Sequence, residues 1–383
     1  MLRRILAPCS AQHGANSAAS HPSRAWFDRS MDQAGRMRQE MRSLLITIGC
    51  FMLGTAAGCL VLRGDPRPLA GDGSLGMPAA LVAGAIAAAS FVVSTLLYRR
   101  GGTSPMPRWQ ALVSNASAVA LTIVFAGVTS LGVLLGGEIL GFGLQGVSLP
   151  PLGGGLIAGV AAAIGGRFAF AAGSGIATED LAALLFGYLV VGTLFAMLTA
   201  ADARWWELNF SQLGSGTRGW AFNGTLIVAG LLVATVGSFV GRDIHRLRGD
   251  AILTRTAALV GLWALTGAAL ACVGLFPLVQ VPAAHHAAAL ATLVLFAASA
   301  AMTTLAIPGW PAPLVLVTIG VGALLVGAVV LWKPVALYPL TVLEVVVVTV
   351  GLLWMTTLVR VLAVLTPPAS RPSSRQCLLH PTR

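Results

Sequence analysis

Runs of about twenty apolar residues recur along the chain from residue 43 onward, and this pattern restricts its fold more than any other feature. A helix needs about 20 mainly apolar residues to cross the hydrocarbon core of a bilayer. The runs are continuous and do not alternate in roughly ten-residue strands, so they predict helices and not a β-barrel. The predicted spans are 43–63, 78–98, 111–136, 153–173, 180–200, 221–241, 252–275, 284–305, 312–332 and 338–364. The predicted fold class is therefore all-α: a polytopic membrane helix bundle of about ten transmembrane helices.

Composition agrees with a membrane protein. Of the 383 residues, 56% are hydrophobic and 10% are charged, whereas a soluble domain carries about 25% charged residues. The net charge of +11 comes from arginines between the spans and at both ends, which is typical of membrane topology and not of nucleic-acid binding. Membrane lipids are therefore the expected partners, and nucleic acid is not. The five cysteines form no CxxC pair, so neither a metal site nor a cofactor is predicted.

The arginines also predict an orientation. Basic residues collect in the cytoplasmic loops of membrane proteins. An inside N-terminus places the basic residues after span 2, the cluster at 242–250 and the C-terminal tail all in the cytoplasm. We therefore expect a multi-pass protein of the cell membrane with both termini cytoplasmic.

Four segments are expected. Residues 1–42 are a basic cytoplasmic tail, either disordered or produced by a misplaced start codon, with Met31, Met37 and Met41 as alternative starts. The remaining segments are a four-span membrane region (43–176), a six-span membrane domain (177–366) that is set apart by the family resemblance described below, and a short cytoplasmic tail (367–383).

The longest polar interruption of the apolar pattern runs from Asp202 to about Arg218, between spans 5 and 6. It carries Trp205 and Trp206, and Trp220 follows it, where a membrane–water interface favours tryptophan. On the predicted topology this loop faces outward.

Three motifs of the six-span part resemble the DUF998 family of bacterial integral membrane proteins. They are Asn209-Phe210-Ser211-Gln212-Leu213-Gly214, Phe222-Asn223-Gly224-Thr225-Leu226-Ile227, and Val273-Gly274-Leu275-Phe276-Pro277 followed by His285 and His286. The resemblance covers residues 178–366 only, about half the chain. It implies a six-span architecture and no particular activity, because the role of the family is itself unassigned.

Polar residues from several spans are predicted to meet at the outer face and to bind a substrate there. They are Glu207, Asn209, Ser211, Gln212, Asn223, His285 and Glu344. Glu344 is the sharpest candidate, because a charge inside the membrane is costly. It is either a carboxylate linked to a proton or cation in a polar cavity, or the partner of Lys333 or His285 in helix packing.

The other polar positions have structural alternatives. Asn223 either caps a helix or bonds to a neighbouring helix. The Asn209–Gly214 motif is expected to form a turn or a short interfacial helix, with Phe210 and Leu213 toward lipid. Thr178 is expected to cap span 5.

Three functions remain open from the sequence. The leading hypothesis is a transporter or binding protein without enzymatic activity, which binds or moves a small solute or lipid through the outer polar site. The first alternative is a membrane-embedded enzyme on a lipid-linked substrate, with Glu207 or Glu344 and His285 as acid and base. The second is a scaffold or assembly subunit, in which the polar groups bond locally and no cavity lies between the helices. The oligomeric state is left open.

Overall fold

A computed structural model describes residues 22–71, 73–99, 108–249 and 252–366. The start of the predicted N-terminal tail (1–21) and the predicted C-terminal tail (367–383) lie outside the described residues. The described part of the N-terminal tail, from residue 22, is helical.

Ten long helices make up almost all of the described chain. They are α1 (Pro22–Val61), α2 (Gly76–Arg99), α3 (Arg108–Gly143), α4 (Pro151–Ser174), α5 (Thr178–Leu198), α6 (Trp220–Arg248), α7 (Leu253–Leu275), α8 (Pro282–Ala306), α9 (Ala312–Trp332) and α10 (Leu340–Leu365). Each contains a stretch long and apolar enough to cross a membrane. The predicted all-α polytopic fold and the count of ten spans are therefore confirmed for the part of the chain that the structure describes.

Two strands of two residues each join the α1–α2 connection to the α3–α4 connection. β1 (Arg67–Pro68) follows α1 and pairs antiparallel with β2 (Ser148–Leu149), which precedes α4. The α1–α2 and α3–α4 connections therefore lie at the same end of the bundle. The α5–α6 connection lies at this end too, because Arg218 forms an ion pair with Glu138 near the end of α3, at 3.7 Å. We call this end, which carries residues 199–219, the loop end.

The opposite end carries the arginine cluster, and we call it the arginine end. Here the start of α5 meets the end of α6 through a hydrogen bond from Thr178 to Asp243. The end of α6 meets the end of α8 through Arg248, whose Nε donates to the Ala306 carbonyl at 3.1 Å. The helices thus alternate in direction, as membrane spans joined by short connections must.

Large apolar side chains cover much of the outside of the bundle. On α9, Leu316, Ile319 and Val326 are each at least 65% exposed. Contiguous apolar surface of this kind is rare on soluble monomers, whereas a bilayer accommodates it. The exposure therefore supports a membrane location for the helices.

The core of the six-span part is built around two tryptophans. Trp263 of α7 and Trp354 of α10 are 0% and 1% exposed, and their rings stack at 6.4 Å. Each indole N–H donates to a threonine hydroxyl, from Trp263 to Thr303 at 3.1 Å and from Trp354 to Thr318 at 2.9 Å. A buried indole needs such a partner, so the aromatic core also ties α8 and α9 to their neighbours.

Small residues set the closest helix crossings. A Cβ added at Gly230 of α6 would lie 2.3 Å from the Gly267 oxygen of α7, and the reverse substitution would produce the same clash. Gly54 and Gly58 of α1 approach Gly159 and Gly155 of α4 in the same way. Small residues therefore allow the close packing of helices at these positions.

Candidate functional site

The polar loop between α5 and α6 folds into two short 3₁₀ helices, Trp205–Glu207 and Phe210–Gly214. The second is the predicted short helix of the Asn-Phe-Ser-Gln-Leu-Gly motif. Its apolar side chains point differently from the prediction. Leu213 is 3% exposed and packs with Ala196 and Phe222, while Phe210 contacts the ring of Trp205. The motif buries these residues within the protein instead of turning them toward lipid.

The start of α10 holds this loop through two side chains. The backbone N–H of Phe210 donates to Oε2 of Glu344 at 2.5 Å. One helical turn earlier, the Thr341 hydroxyl donates to the Trp206 carbonyl at 2.7 Å. Glu344 therefore pairs with the loop backbone and not with Lys333, whose ammonium lies 5.1 Å from the Trp332 ring centre.

His285 ties the start of α8 to the same loop. Its side chain is buried, with 4% exposure, and its Nδ1 lies 2.8 Å from the Phe276 carbonyl oxygen. A carbonyl can only accept, so Nδ1 carries the proton. In the neutral ring Nε2 then accepts from the Ser211 hydroxyl, 3.0 Å away. His286 is exposed, and its ring meets the ring of His285 edge-on, with the two centres 5.9 Å apart.

Asn223 is the third anchor of the loop. Its side-chain amide donates to the Gly214 carbonyl at 3.1 Å. Asn223 therefore fastens the loop to the first turn of α6, which differs from both predicted roles, a helix cap and a bond between helices. A Cβ at Gly214 would meet its Oδ1 at 2.4 Å, so Gly214 is needed for this close contact.

The seven predicted binding residues thus divide into two groups. Ser211, Asn223, His285 and Glu344 bond the loop to the helices. Asn209 begins the second 3₁₀ helix, and its buried Oδ1 has no hydrogen-bond partner among the described residues. The Gln212 backbone carbonyl accepts from Ser215, and Glu207 is exposed to solvent. The structure brings the residues of the first group together around one loop. Glu207 lies on the same loop but makes none of these contacts.

At the arginine end, Asp243 of α6 is buried with 6% exposure. It accepts from Thr178 at 2.5 Å and pairs with Arg246 at 3.5 Å and Arg242 at 3.7 Å. Thr178 is consequently not the cap of α5. Asp180 instead accepts the Ala177 N–H at 2.9 Å. The sequence showed this cluster only as a topology signal, and nothing in it indicated the Thr178–Asp243 contact.

A large apolar crevice lies between α3, α4 and α5, and sequence reasoning missed it. Its volume is about 1150 Å³, and Thr129 and Asp180 are the polar side chains among its described lining residues. Along α4 the lining extends from Leu156 to Ala172. These residues are 16 positions apart, which is about 24 Å at the helical rise of 1.5 Å. The crevice therefore spans most of the hydrocarbon thickness of a bilayer.

A second, smaller cavity of about 320 Å³ lies at the arginine end, among α2, α3, α4, α6 and α7. Arg242 and His245 of α6 line it together with five hydroxyl-bearing residues. The hydroxyls belong to Thr95, Ser114, Ser117, Ser238 and Thr256. Ala172, Gly175 and Ile176 line both this cavity and the crevice, so the two are adjacent at the end of α4.

The family model of DUF998, described as a protein of unknown function, matches residues 181–361. This part of the chain is a DUF998 domain. The match agrees with the resemblance inferred from residues 178–366, and it runs from the first turn of α5 almost to the end of α10. Comparison with curated proteins found no match, and comparison with solved structures found none either.

Both cavities lie where the residues that match the family model meet the helices that precede them. The crevice lies where α3 and α4 meet α5, the first helix of the DUF998 domain. The smaller cavity is likewise lined from both sides, by α2 to α4 and by α6 and α7 of the domain. Both cavities are therefore lined by helices that precede the DUF998 domain, among α2, α3 and α4, as well as by helices of the domain.

Proposed function

We propose that this protein binds a membrane lipid, with the acyl or other long apolar chain lying in the crevice between α3, α4 and α5. The observation that carries the proposal is the apolar crevice itself, which is about 1150 Å³ in volume. Ligand cavities for drug-sized molecules are roughly 300–1,000 Å³, so this space suits a larger and predominantly apolar ligand.

The position of the crevice favours a lipid over a small polar solute. Val160, Ile164 and Phe168 of α4 line it, at four-residue spacing, and they are 51%, 55% and 68% exposed. These exposed positions place the side of the crevice at bilayer depth, where a lipid chain can enter laterally. A polar solute would leave water to meet a wall that offers few hydrogen bonds.

The outer polar cluster supports a binding role less directly. Ser211, Asn223, His285 and Glu344 are engaged with one another or with loop backbone, as the contacts above describe. We propose that they keep the loop seated on α6, α8 and α10, while Asn209 and Glu207 remain available to a small solute. In the same proposal, the loop end faces outward and both termini face the cytoplasm.

A substitution that fills the crevice tests the lipid proposal. A Cβ added at Gly136, a lining residue of α3, would meet open space. Gly136→Leu should therefore occupy the crevice without disturbing a helix contact. Gly320→Leu on α9, where an added Cβ also meets nothing, is the matched control.

Native mass spectrometry of the purified protein gives the measurement. We expect the unmodified protein and the Gly320→Leu variant to retain a lipid, and the Gly136→Leu variant to lose most of it. Equal retention by all three proteins would contradict the proposal. A dimer that carries no lipid and that Gly136→Leu dissociates would also contradict the proposal, because a second copy of the chain would then fill the crevice.

A further inference from the structure

The smaller cavity is lined by donors and by a positive charge. Arg242 and His245 line it with five hydroxyl-bearing residues, and no aspartate or glutamate is found among its described lining residues. On α6, Ser238, Arg242 and His245 follow at helical spacing and so share one face. A cavity of this composition fits an anion and disfavours a cation.

Two donors of this cavity have no acceptor within the described part of the chain. These are the Thr95 hydroxyl of α2 and the Arg242 Nε of α6, both buried atoms. Arg242 Nε lies 3.7 Å from Asp243 Oδ1, which is too far for a hydrogen bond. Buried donors are almost always satisfied, so a bound oxygen would complete both.

The neighbouring carboxylate does not cancel this charge. Asp243 uses Oδ2 to accept from Thr178 and Oδ1 to pair with both Arg246 and Arg242. Within the described part of the chain, one carboxylate therefore serves two guanidinium groups, which leaves one positive charge. The Arg242 guanidinium also lies 4.1 Å above the Phe239 ring centre, which fixes its plane at the cavity wall.

The cavity lies beside the crevice, since Ala172, Gly175 and Ile176 line both. Asp180, the carboxylate of the crevice, accepts the Ala177 N–H and is not among the residues of the smaller cavity. An amphiphile with its chain along α4 would thus bring its polar group to Arg242 and Thr95.

We propose that the smaller cavity binds a phosphate group, through Arg242 and Thr95. This inference rests on the proposed lipid binding where the phosphate is that of a lipid headgroup. Free inorganic phosphate has the same chemistry and is the other possible source.

The test compares two lipids with identical acyl chains, phosphatidic acid and diacylglycerol, which differ in the phosphate. Their binding to the detergent-solubilised full chain is titrated by native mass spectrometry. We expect the unmodified protein to prefer phosphatidic acid by about tenfold, because its phosphate can accept hydrogen bonds from the charged Arg242 side chain. Arg242→Gln should remove most of the preference and leave diacylglycerol binding unchanged.

Three further variants separate a binding effect from misfolding and from crevice filling. Thr95→Val removes a hydroxyl that has no hydrogen-bond partner among the described residues, so it should lower the preference without loss of stability. Arg242→Lys keeps the charge and should retain part of the preference. Gly136→Leu should weaken both lipids equally.

Inorganic phosphate alone is the second arm of the test. One outcome is that neither lipid binds, while inorganic phosphate binds the unmodified protein and does not bind the Arg242→Gln variant. The phosphate site then stands and the proposed lipid function fails. If both lipids bind equally and Arg242→Gln changes nothing, the phosphate site is overturned and lipid binding stands. A phosphatidic acid preference that persists in Arg242→Gln also overturns it.

Discussion

Glu344 shows how a single charged residue can sit inside an apolar span. It is the fifth residue of α10, close to the loop end, and it is only half-buried. Its carboxylate accepts the Phe210 N–H, a charge-assisted bond that also satisfies a backbone donor of the loop. The residue therefore needs no second charged side chain to be accommodated there.

Truncation of Glu344 should loosen the loop. Glu344→Ala leaves the Phe210 N–H without its acceptor, which should cost about 1–3 kcal/mol of stability. Glu344→Gln keeps an acceptor oxygen and should cost less. Thermal unfolding in a fixed detergent measures the effect. The control is Glu207→Ala, because Glu207 is exposed and should not matter; equal losses at both positions would contradict the assigned contact.

Sequence reasoning found the polar residues that hold the loop at the loop end but not their partners. Asn223, His285 and Glu344 stand out because they are polar groups in apolar runs, where burial is costly. Their partners are mostly carbonyls and N–H groups of the loop backbone, which every residue carries and no pattern distinguishes. The crevice and the smaller cavity were not predicted for a related reason, because they depend on how helices distant in sequence pack.

At the scale of elements, the α6–α7 pair is held by a contact that only glycine permits. Gly230 and Gly267 face each other, and an added Cβ at either would lie 2.3 Å from the other's oxygen. The glycines here allow close approach of two backbones, which increases dispersion contact in a membrane. Both helices belong to the DUF998 domain.

Alanine at this crossing should separate the two helices. We expect Gly230→Ala and Gly267→Ala each to destabilise the protein by about 1–3 kcal/mol, as overpacking does. Gly261→Ala lies on the same helix as Gly267, but its added Cβ would meet nothing, so it should be neutral or slightly stabilising. Unfolding midpoints of the three variants decide the matter. A loss at Gly261 as large as at Gly230 would point to a general intolerance of alanine.

The length of α6 illustrates a limit of hydropathy. Its predicted end was residue 241, and the cluster that follows was expected to be a loop. The helix instead continues to Arg248, because Asp243 turns inward to Thr178 and Arg246 pairs with it at i,i+3. Charged residues end an apolar run without ending the helix, so the hydropathy pattern located the span and missed the last two turns.

For the whole molecule, the apolar runs determined the fold class and the number of helices, because span length is fixed by bilayer thickness. The arrangement of the helices was not predictable in this way. Most of their contact faces are small or aliphatic, and such residues also face lipid, so the sequence did not separate the two surfaces.

Alternation of the helices makes the sidedness of the protein testable. Thr217 at the loop end and Pro308 at the arginine end are both exposed. If the basic residues face the cytoplasm, a cysteine at Thr217→Cys should react with a membrane-impermeant thiol reagent added to intact cells. Pro308→Cys should react only after the cells are opened. The reverse labelling pattern would show that the protein has the opposite orientation.

The central claim is that a lipid lies between α3 and α4 on one side and the DUF998 domain on the other. An experimental structure in a lipid nanodisc tests this claim most directly. We predict elongated density along α4 from Leu156 to Ala172, with its polar end beside Arg242 and Thr95. A crevice filled by another helix, or closed by contact between α4 and α5, would contradict the account.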